Sequence, residues 1–524
     1  MRFAGLVARV ALAAVYVMLV AVLRPAPAVA QGGPVVATGY GEVQGVAEHG
    51  VVAFKGIPYA VPPVGDLRWR APKTPAAWTG ARSGHVFGPG CIALPGVPSE
   101  AGGDPGQHSE DCLYLNVWTP KPESSVRLPV MVWIHGGAYV FGSGGVDLYN
   151  GAPLASKGAV VVTVNYRLMQ LGFFAHPALE AENPGGPVNF GLLDQIEALR
   201  WVKRNIAAFG GDPRNVTIMG QSAGAKSVLA LMTSPLARGL FHKAIAESFY
   251  ILPEAKRAKA VEAGVKTAEA VGLDGAKATA ADLRAVPAEK FAALKGKGLS
   301  TSPVAVSGDA VLPQSIQAAF SAGKQAAVPL IVGSTSDDIG VAAAFGIDPA
   351  MLLKRLGAAG ILVRVLYPGV KDNTDLGRLA ARDVAFTMPV RWVADRHSRR
   401  APVFRFYWDY VTEKNRPKHP NGADHGGEVP YVLGTLDVTT ATKDIATDRD
   451  RKIARQASEY WFQFARTGRP SGKGNPNWPG YTVVRDWTLV VADETKPRRS
   501  FMRARLNVLL GAASIANVIF KRSD

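Results

Sequence analysis

A serine becomes a nucleophile when a base takes its proton, a carboxylate orients that base and donors await the oxyanion. The stretch Asn215–Leu229, N-V-T-I-M-G-Q-S-A-G-A-K-S-V-L, offers one candidate, Ser222, inside a G-x-S-x-G pattern. The pattern alone decides little. With 56 glycines in the chain, composition would produce it by chance about 0.3 times. Its surroundings carry more weight. N-V-T-I-M reads as a strand and A-K-S-V-L-A-L-M as a helix, so Ser222 is expected at a sharp strand–turn–helix junction. Glycines suit that turn because a side chain there would clash.

The donors are expected in W-I-H-G-G-A-Y-V-F-G-S-G, residues 133–144, where glycines let backbone N–H groups face a substrate oxygen. His135 ends the preceding strand and reads as a structural histidine holding that turn. The base is sought later in the chain. His425 lies in N-G-A-D-H-G-G-E-V-P-Y-V-L-G, flanked by glycines between a strand and an apolar segment, a loop suited to aiming an imidazole. His49, His85, His108, His242, His397 and His419 sit in polar or loop-like settings with no supporting pattern. The acid falls between nucleophile and base, in V-G-S-T-S-D-D-I-G. It follows the apolar run V-P-L-I-V, at a strand's C-terminal end, where active-site loops gather. Asp337 and Asp338 are both candidates.

The elements that must hold these residues are legible as apolar runs. Residues 128–134 and 159–166 are continuous and bounded by turn signals, as in central strands of a parallel sheet. Residues 328–333 and 403–410 read as further strands. Helical spacing runs through Gly191–Ile206, and a second helix is expected over Ser458–Gly468. Residues 252–298 are rich in Ala, Lys and Glu and predict a peripheral helical region near the site. Leu506–Phe520, interrupted by Asn507 and Asn517, predicts a packed terminal helix. Tyr139, Phe141, Phe249 and Tyr250 fit either a pocket lining or the core.

With 524 residues, 48% of them hydrophobic, the chain can bury a large core. Arg2 and Arg9, the apolar run Val10–Leu23 and A-V-A at 28–30 form the three parts of a secretory signal, with cleavage expected after Ala30. Residues 31–524 then form a single domain with no remaining membrane span, secreted or periplasmic. Cys91 and Cys112, the only cysteines, can bridge in an oxidising compartment. The net charge of +17 is scattered, without a basic stripe or interleaved aromatics, which argues against nucleic-acid binding. It leaves room for attraction to anionic substrates.

Several motifs occur in order over roughly residues 35–480: F-K-G-I-P-Y-A-x-P-P-x-G-x-x-R-W, E-D-C-L-Y-L-N-V-W, the H-G-G stretch, V-N-Y-R-x-x-x-x-G-F, N-x-G-L-x-D-Q, F-G-G-D-P-x-N-V-T-I-x-G-x-S-A-G and H-G-x-E. Together they resemble the type-B carboxylesterases, a family that includes cholinesterases, bile-salt-stimulated lipase and many bacterial esterases. The resemblance implies an α/β-hydrolase fold, with a large, mostly parallel sheet flanked by helices and a helical region over the site. It implies Ser222 as nucleophile, His425 as base and Asp338 as acid, with the amides of Gly137, Ala138 and Ala223 as oxyanion hole. Glu428 and Ser248 match a buried polar pair that supports the triad in relatives, and Cys91–Cys112 matches the family's N-terminal disulfide. Neither a cofactor nor a metal is implied. The expected partner is a small-molecule ester.

Departures from the family pattern narrow the substrate. The acid segment is D-D-I where relatives carry D-E-G, so Asp338 is one methylene short and Ile339 replaces glycine. Ala138 takes the third glycine position, and Gln221 precedes the nucleophile where cholinesterases carry Glu. The Cys91–Cys112 loop holds no aromatic residue, which removes the choline-binding tryptophan and argues against choline esters. The reading is a serine carboxylesterase. Its alternatives are an esterase for anionic polycarboxylate esters of the fumonisin type, and an inactive binding protein of the same fold.

Overall fold

The structure is a computed structural model that describes residues 33–94, 105–122, 125–250, 254–294, 305–345, 348, 363–472 and 474–520. The expected signal segment lies outside the described residues. The apolar runs build an 11-stranded sheet. Its strands are β1 (Val46–Glu48), β2 (Val51–Pro58), β3 (Tyr114–Thr119), β4 (Leu128–Ile134), β5 (Val160–Val164), β6 (Gly211–Gln221), β7 (Lys243–Glu247), β8 (Leu330–Thr335), β9 (Val403–Trp408), β10 (Trp487–Val491) and β11 (Lys496–Arg499).

Across the sheet the order is β11-β10-β9-β8-β7-β6-β4-β5-β3-β2-β1. Every neighbouring pair from β10 to β5 is parallel. Antiparallel strands finish both edges.

Continuous apolar strands are buried on both faces, and their alternate residues feed two cores. Val130, Val132 and Ile134 of β4 join the core beneath helices α1 (Phe190–Asn205) and α2 (Ala223–Thr233). Met131 and Trp133 join the opposite core with Trp461 and Phe464. That second layer is covered by a long helix, Asp448–Thr467, which ends at Gly468 as expected but starts well before Ser458. Its first turn, D-R-D-R-K, has no apolar periodicity and is set by a capping box between Thr447 and Asp450.

The region after β7 is helical, with α3 (Arg257–Ala270) followed by short helices Ala280–Ala285 and Ala288–Ala292. It docks through Phe291 on Trp69 and through Gly264 against the carbonyl of Ala175. Later come α4 (Asn373–Arg382), α5 (Met388–His397), the Asp448–Thr467 helix as α6, and α7 (Arg503–Phe520).

The expected terminal helix is present as Arg503–Phe520, and among its described side chains packing is confined to the first turn. Leu506 is buried and Arg505 pairs with Asp383 at 2.7 Å, whereas Val508 is 53% exposed. Side chains beyond Ala512 lie outside the described residues. No helix among the described residues is long and apolar enough to cross a membrane.

The sequence motifs away from Ser222 are structural braces. Arg167 of V-N-Y-R pairs bidentately with Asp194 of G-L-L-D-Q, at 2.7 and 2.8 Å, both side chains buried. Asn116 of E-D-C-L-Y-L-N accepts the Gly56 N–H at 2.9 Å and donates to Thr163 Oγ1 at 2.9 Å. Cys91 and Cys112 are disulfide-bonded.

Candidate active site

Ser222 stands between the last residue of β6 and the first of α2, with φ 57° and ψ −122°. This strained conformation is characteristic of functional turns. It is enforced by its neighbours. A Cβ on Gly220 or Gly224 would lie 2.6 or 2.0 Å from the Ile134 carbonyl oxygen, so both positions require glycine. The Ser222 N–H donates to the Glu247 carbonyl at 2.9 Å, tying the turn to the end of β7. The N-terminus of α2 places positive partial charge at this point.

The H-G-G turn reverses sharply after β4. Gly137, Ala138 and Tyr139 all have positive φ (96°, 52° and 64°). A Cβ on Gly137 would meet the Phe141 carbonyl oxygen at 2.2 Å. The turn is held by Val140 and Phe141 N–H groups donating to the Gly137 carbonyl, and by Met169 N–H donating to the Tyr139 carbonyl at 2.7 Å. Asn165 Oδ1 accepts the Gly144 N–H at 2.8 Å. Among the described residues, the amides of Gly137 and Ala138 have no protein acceptor. Ala223 holds the first position of α2, where a helix offers its N–H no acceptor.

His135 is buried, stacked 4.3 Å from the Tyr166 ring, with Nδ1 2.9 Å from the Gly136 carbonyl. Burial lowers its pKa to about 4. It therefore stays neutral and holds the turn.

His425 and Asp338 meet: Nδ1 to Oδ1 is 2.7 Å. Asp338 is fully buried, and its Oδ2 accepts the Thr335 N–H at 2.8 Å. An ionised carboxylate only accepts, so Nδ1 carries the proton and Nε2 is left as the basic nitrogen. The His425 loop runs beside the nucleophile turn, since a Cβ on Gly426 would lie 3.4 Å from Gln221 Nε2. Asp337 turns away. Its Oδ1 accepts from Arg378 Nη1 at 2.9 Å, and its N–H donates to the Ala423 carbonyl at 2.8 Å. Burial raises its pKa, with Arg378 opposing.

Ser248 and Glu428 are both fully buried and adjacent, and the Ser248 hydroxyl favours the ionised form of Glu428 without reaching full hydrogen-bond geometry. Of the aromatic candidates, Tyr139 is core: its hydroxyl accepts from Ser227 Oγ at 3.3 Å and its ring packs on Phe173 at 4.7 Å. Phe249 is buried, while Phe141 and Tyr250 are partly exposed.

Three further neighbours were not among the sequence candidates. The Phe386 ring sits 5.3 Å from the His425 ring, presented by a π-helical turn, Asp383–Thr387. Nothing in its local sequence marks it. Arg378 is likewise anonymous on α4. Glu247 does carry a signal: it is a lone acid ending the apolar run K-A-I-A-E, beside the strand that carries Ser222.

A mostly parallel sheet with a strained serine between strand and helix defines an α/β-hydrolase. The chain matches the model of the Carboxylesterase family over residues 32–357 and 371–508, and it belongs to that family. It is 36% identical over 487 residues to para-nitrobenzyl esterase of Bacillus subtilis (strain 168), covering 88% of this chain and 95% of the relative. It is also 36% identical over 469 residues to fumonisin B1 esterase of Sphingopyxis macrogoltabida, covering 84% and 83%. A solved thermophilic PNB esterase superposes with a TM-score of 0.78 at 34% identity, covering 91% of this chain and 99% of that one. The protein is a carboxylic ester hydrolase.

Proposed function

We propose that Ser222, His425 and Asp338 form the catalytic triad of a serine carboxylesterase. The observation that carries this reading is the 2.7 Å His425–Asp338 contact in a loop beside the strained serine. His425 Nε2 takes the Ser222 hydroxyl proton as Oγ attacks the ester carbonyl. The amides of Gly137, Ala138 and Ala223 receive the oxyanion. His425 then protonates the leaving alcohol, and water, deprotonated by the same nitrogen, releases the acid from the acyl-enzyme. Asp338 fixes the tautomer and stabilises the imidazolium.

Hydrolysis of a p-nitrophenyl ester series, from acetate to longer chains, tests this reading beside Ser222→Ala. Loss of activity in the variant supports it, and retained turnover would sink it. A second reading, preference for anionic polycarboxylate esters, draws on the fumonisin B1 esterase relative and the basic charge. It fails if neutral short-chain esters are better substrates at both low and high salt. Residues 31–524 form one exported domain in this account, supported by the signal-like segment and the Cys91–Cys112 bond. N-terminal sequencing of exported protein tests that, with Gln31 expected first.

A further inference from the structure

His425 and Asp338 lie 87 residues apart in the chain, so their 2.7 Å contact depends on what seats one loop against the other. Ser336 is placed to do this. It follows β8 directly and is buried. Its Oγ accepts the Ala423 N–H at 2.8 Å. The next residue, Asp337, donates its N–H to the Ala423 carbonyl at 2.8 Å, and Asp337 and Asp424 form an isolated parallel bridge. Consecutive residues of the acid segment thus hold both backbone polar groups of Ala423, just ahead of the point where His425 meets Asp338.

The backbone of Ser336 is engaged on two other sides. Its N–H donates to the Trp408 carbonyl at the end of β9, at 2.8 Å, and its carbonyl accepts from Arg382 Nη1 at 3.1 Å. Arg382 is buried at the end of α4 and pairs with Asp383, where the π-helical turn that presents Phe386 begins. The hydroxyl is the group left to meet Ala423. The two loops approach so closely that a Cβ on Gly422, which has φ 112°, would lie 2.2 Å from Ser336 Oγ.

We propose that Ser336 is a positioning residue, whose hydroxyl seats the His425 loop on the acid segment at the spacing that lets Nδ1 reach Asp338. It acts through His425 and touches no reacting atom. This rests on the triad reading above. Without the hydroxyl, the buried Ala423 N–H loses its acceptor, and leaving such a donor unmade costs more than the bond itself gains. The loop relieves that cost by shifting toward another acceptor, pivoting on the Asp337–Ala423 bond that remains. A base misplaced by about 1 Å can lose on the order of 100-fold in rate. The imidazole serves acylation and deacylation alike, so the loss should fall on kcat rather than on KM.

The test is kcat and KM for Ser336→Ala on a neutral p-nitrophenyl ester, made in the wild-type and Asp338→Asn backgrounds, with Ser222→Ala as the blank for background hydrolysis. In the wild-type background kcat should fall by about 10- to 100-fold, with KM within about twofold. In Asp338→Asn the imidazole holds the wrong tautomer and is no longer a base, so its seating ceases to matter, and the added substitution should change kcat by less than about threefold. Ser336→Cys, which puts a larger and weaker acceptor at the same place, should show the same pattern and serves if Ser336→Ala does not fold. An unchanged kcat in a folded variant, a loss carried by KM, or an equal loss in both backgrounds would overturn the proposal. Undiminished turnover in Ser222→Ala would instead defeat the triad reading, so the two failures are separable.

Discussion

Asp337 and Asp338 are consecutive, yet their carboxylates serve opposite partners: Asp338 Oδ1 lies 2.7 Å from His425 Nδ1, and Asp337 Oδ1 lies 2.9 Å from Arg378 Nη1. A 3₁₀ turn that begins at Asp338 separates them, and Ile339 packs in a small cluster with Phe386. Asp338→Asn should cut kcat about 10⁴-fold by stabilising the wrong tautomer. Asp337→Asn should lower kcat by no more than about tenfold and cost about 1 kcal/mol through the loss of Arg378's partner. Steady-state kinetics with thermal unfolding separates the two effects.

Gly137 supports a second expectation. Its φ of 96° and the 2.2 Å approach of the Phe141 carbonyl leave no room for a methyl group. Gly137→Ala should displace the donor turn and lower kcat by about 10²–10³, with a smaller change in KM. Comparing kcat with KM for one ester checks this.

Much of this site is legible in the amino-acid sequence. Ser222, His425 and the acid pair lie in glycine-rich or turn-forming stretches at the ends of apolar runs, where strand periodicity stops abruptly. The central strands stand out because burial on both faces leaves no polar alternation. The features without a sequence signal depend on tertiary approach. Phe386 reaches His425 only because a π-helical turn rotates it there, and Asp383 in that turn is pinned by ion pairs with Arg382 and Arg505. The apolar content of Leu506–Phe520 suggests packing, but no described side chain after Leu506 on that helix is buried. The choice between Asp337 and Asp338 needs Arg378, which lies on a helix 41 residues further on.

The π-helical turn provides a third test. Arg505 pairs with Asp383 at 2.7 Å, and Asp383 also accepts from the Tyr367 hydroxyl at 2.8 Å. Arg505→Ala removes one cationic partner of a buried carboxylate and should cost about 2 kcal/mol. It should also lower kcat by loosening Phe386 against His425. Denaturant unfolding and kinetics on the same preparation give both readings.

Stability should depend on pH through Glu247, whose carboxyl is fully buried at the end of β7. The folded chain holds a proton that the unfolded chain releases above about 4.5, because Glu247 is raised to about 8. The folded state therefore binds more protons across that interval, and stability falls as pH rises from about 4.5 through about 8, with Glu428, raised by burial as well, extending the fall. The slope approaches about 1.4 kcal/mol per pH unit per proton. Chemical denaturation at pH 5, 6, 7 and 8 should show a shallower decline in Glu247→Gln than in the wild type.

The central claim, an acyl-enzyme on Ser222, is tested most directly by a p-nitrophenyl alkylphosphonate followed by peptide mapping. The account predicts release of about one equivalent of p-nitrophenol per chain. It also predicts a mass increment confined to the peptide that contains Ser222, and strong suppression of both in His425→Ala. A stable adduct on another residue, or undiminished labelling and ester hydrolysis in Ser222→Ala, would contradict it.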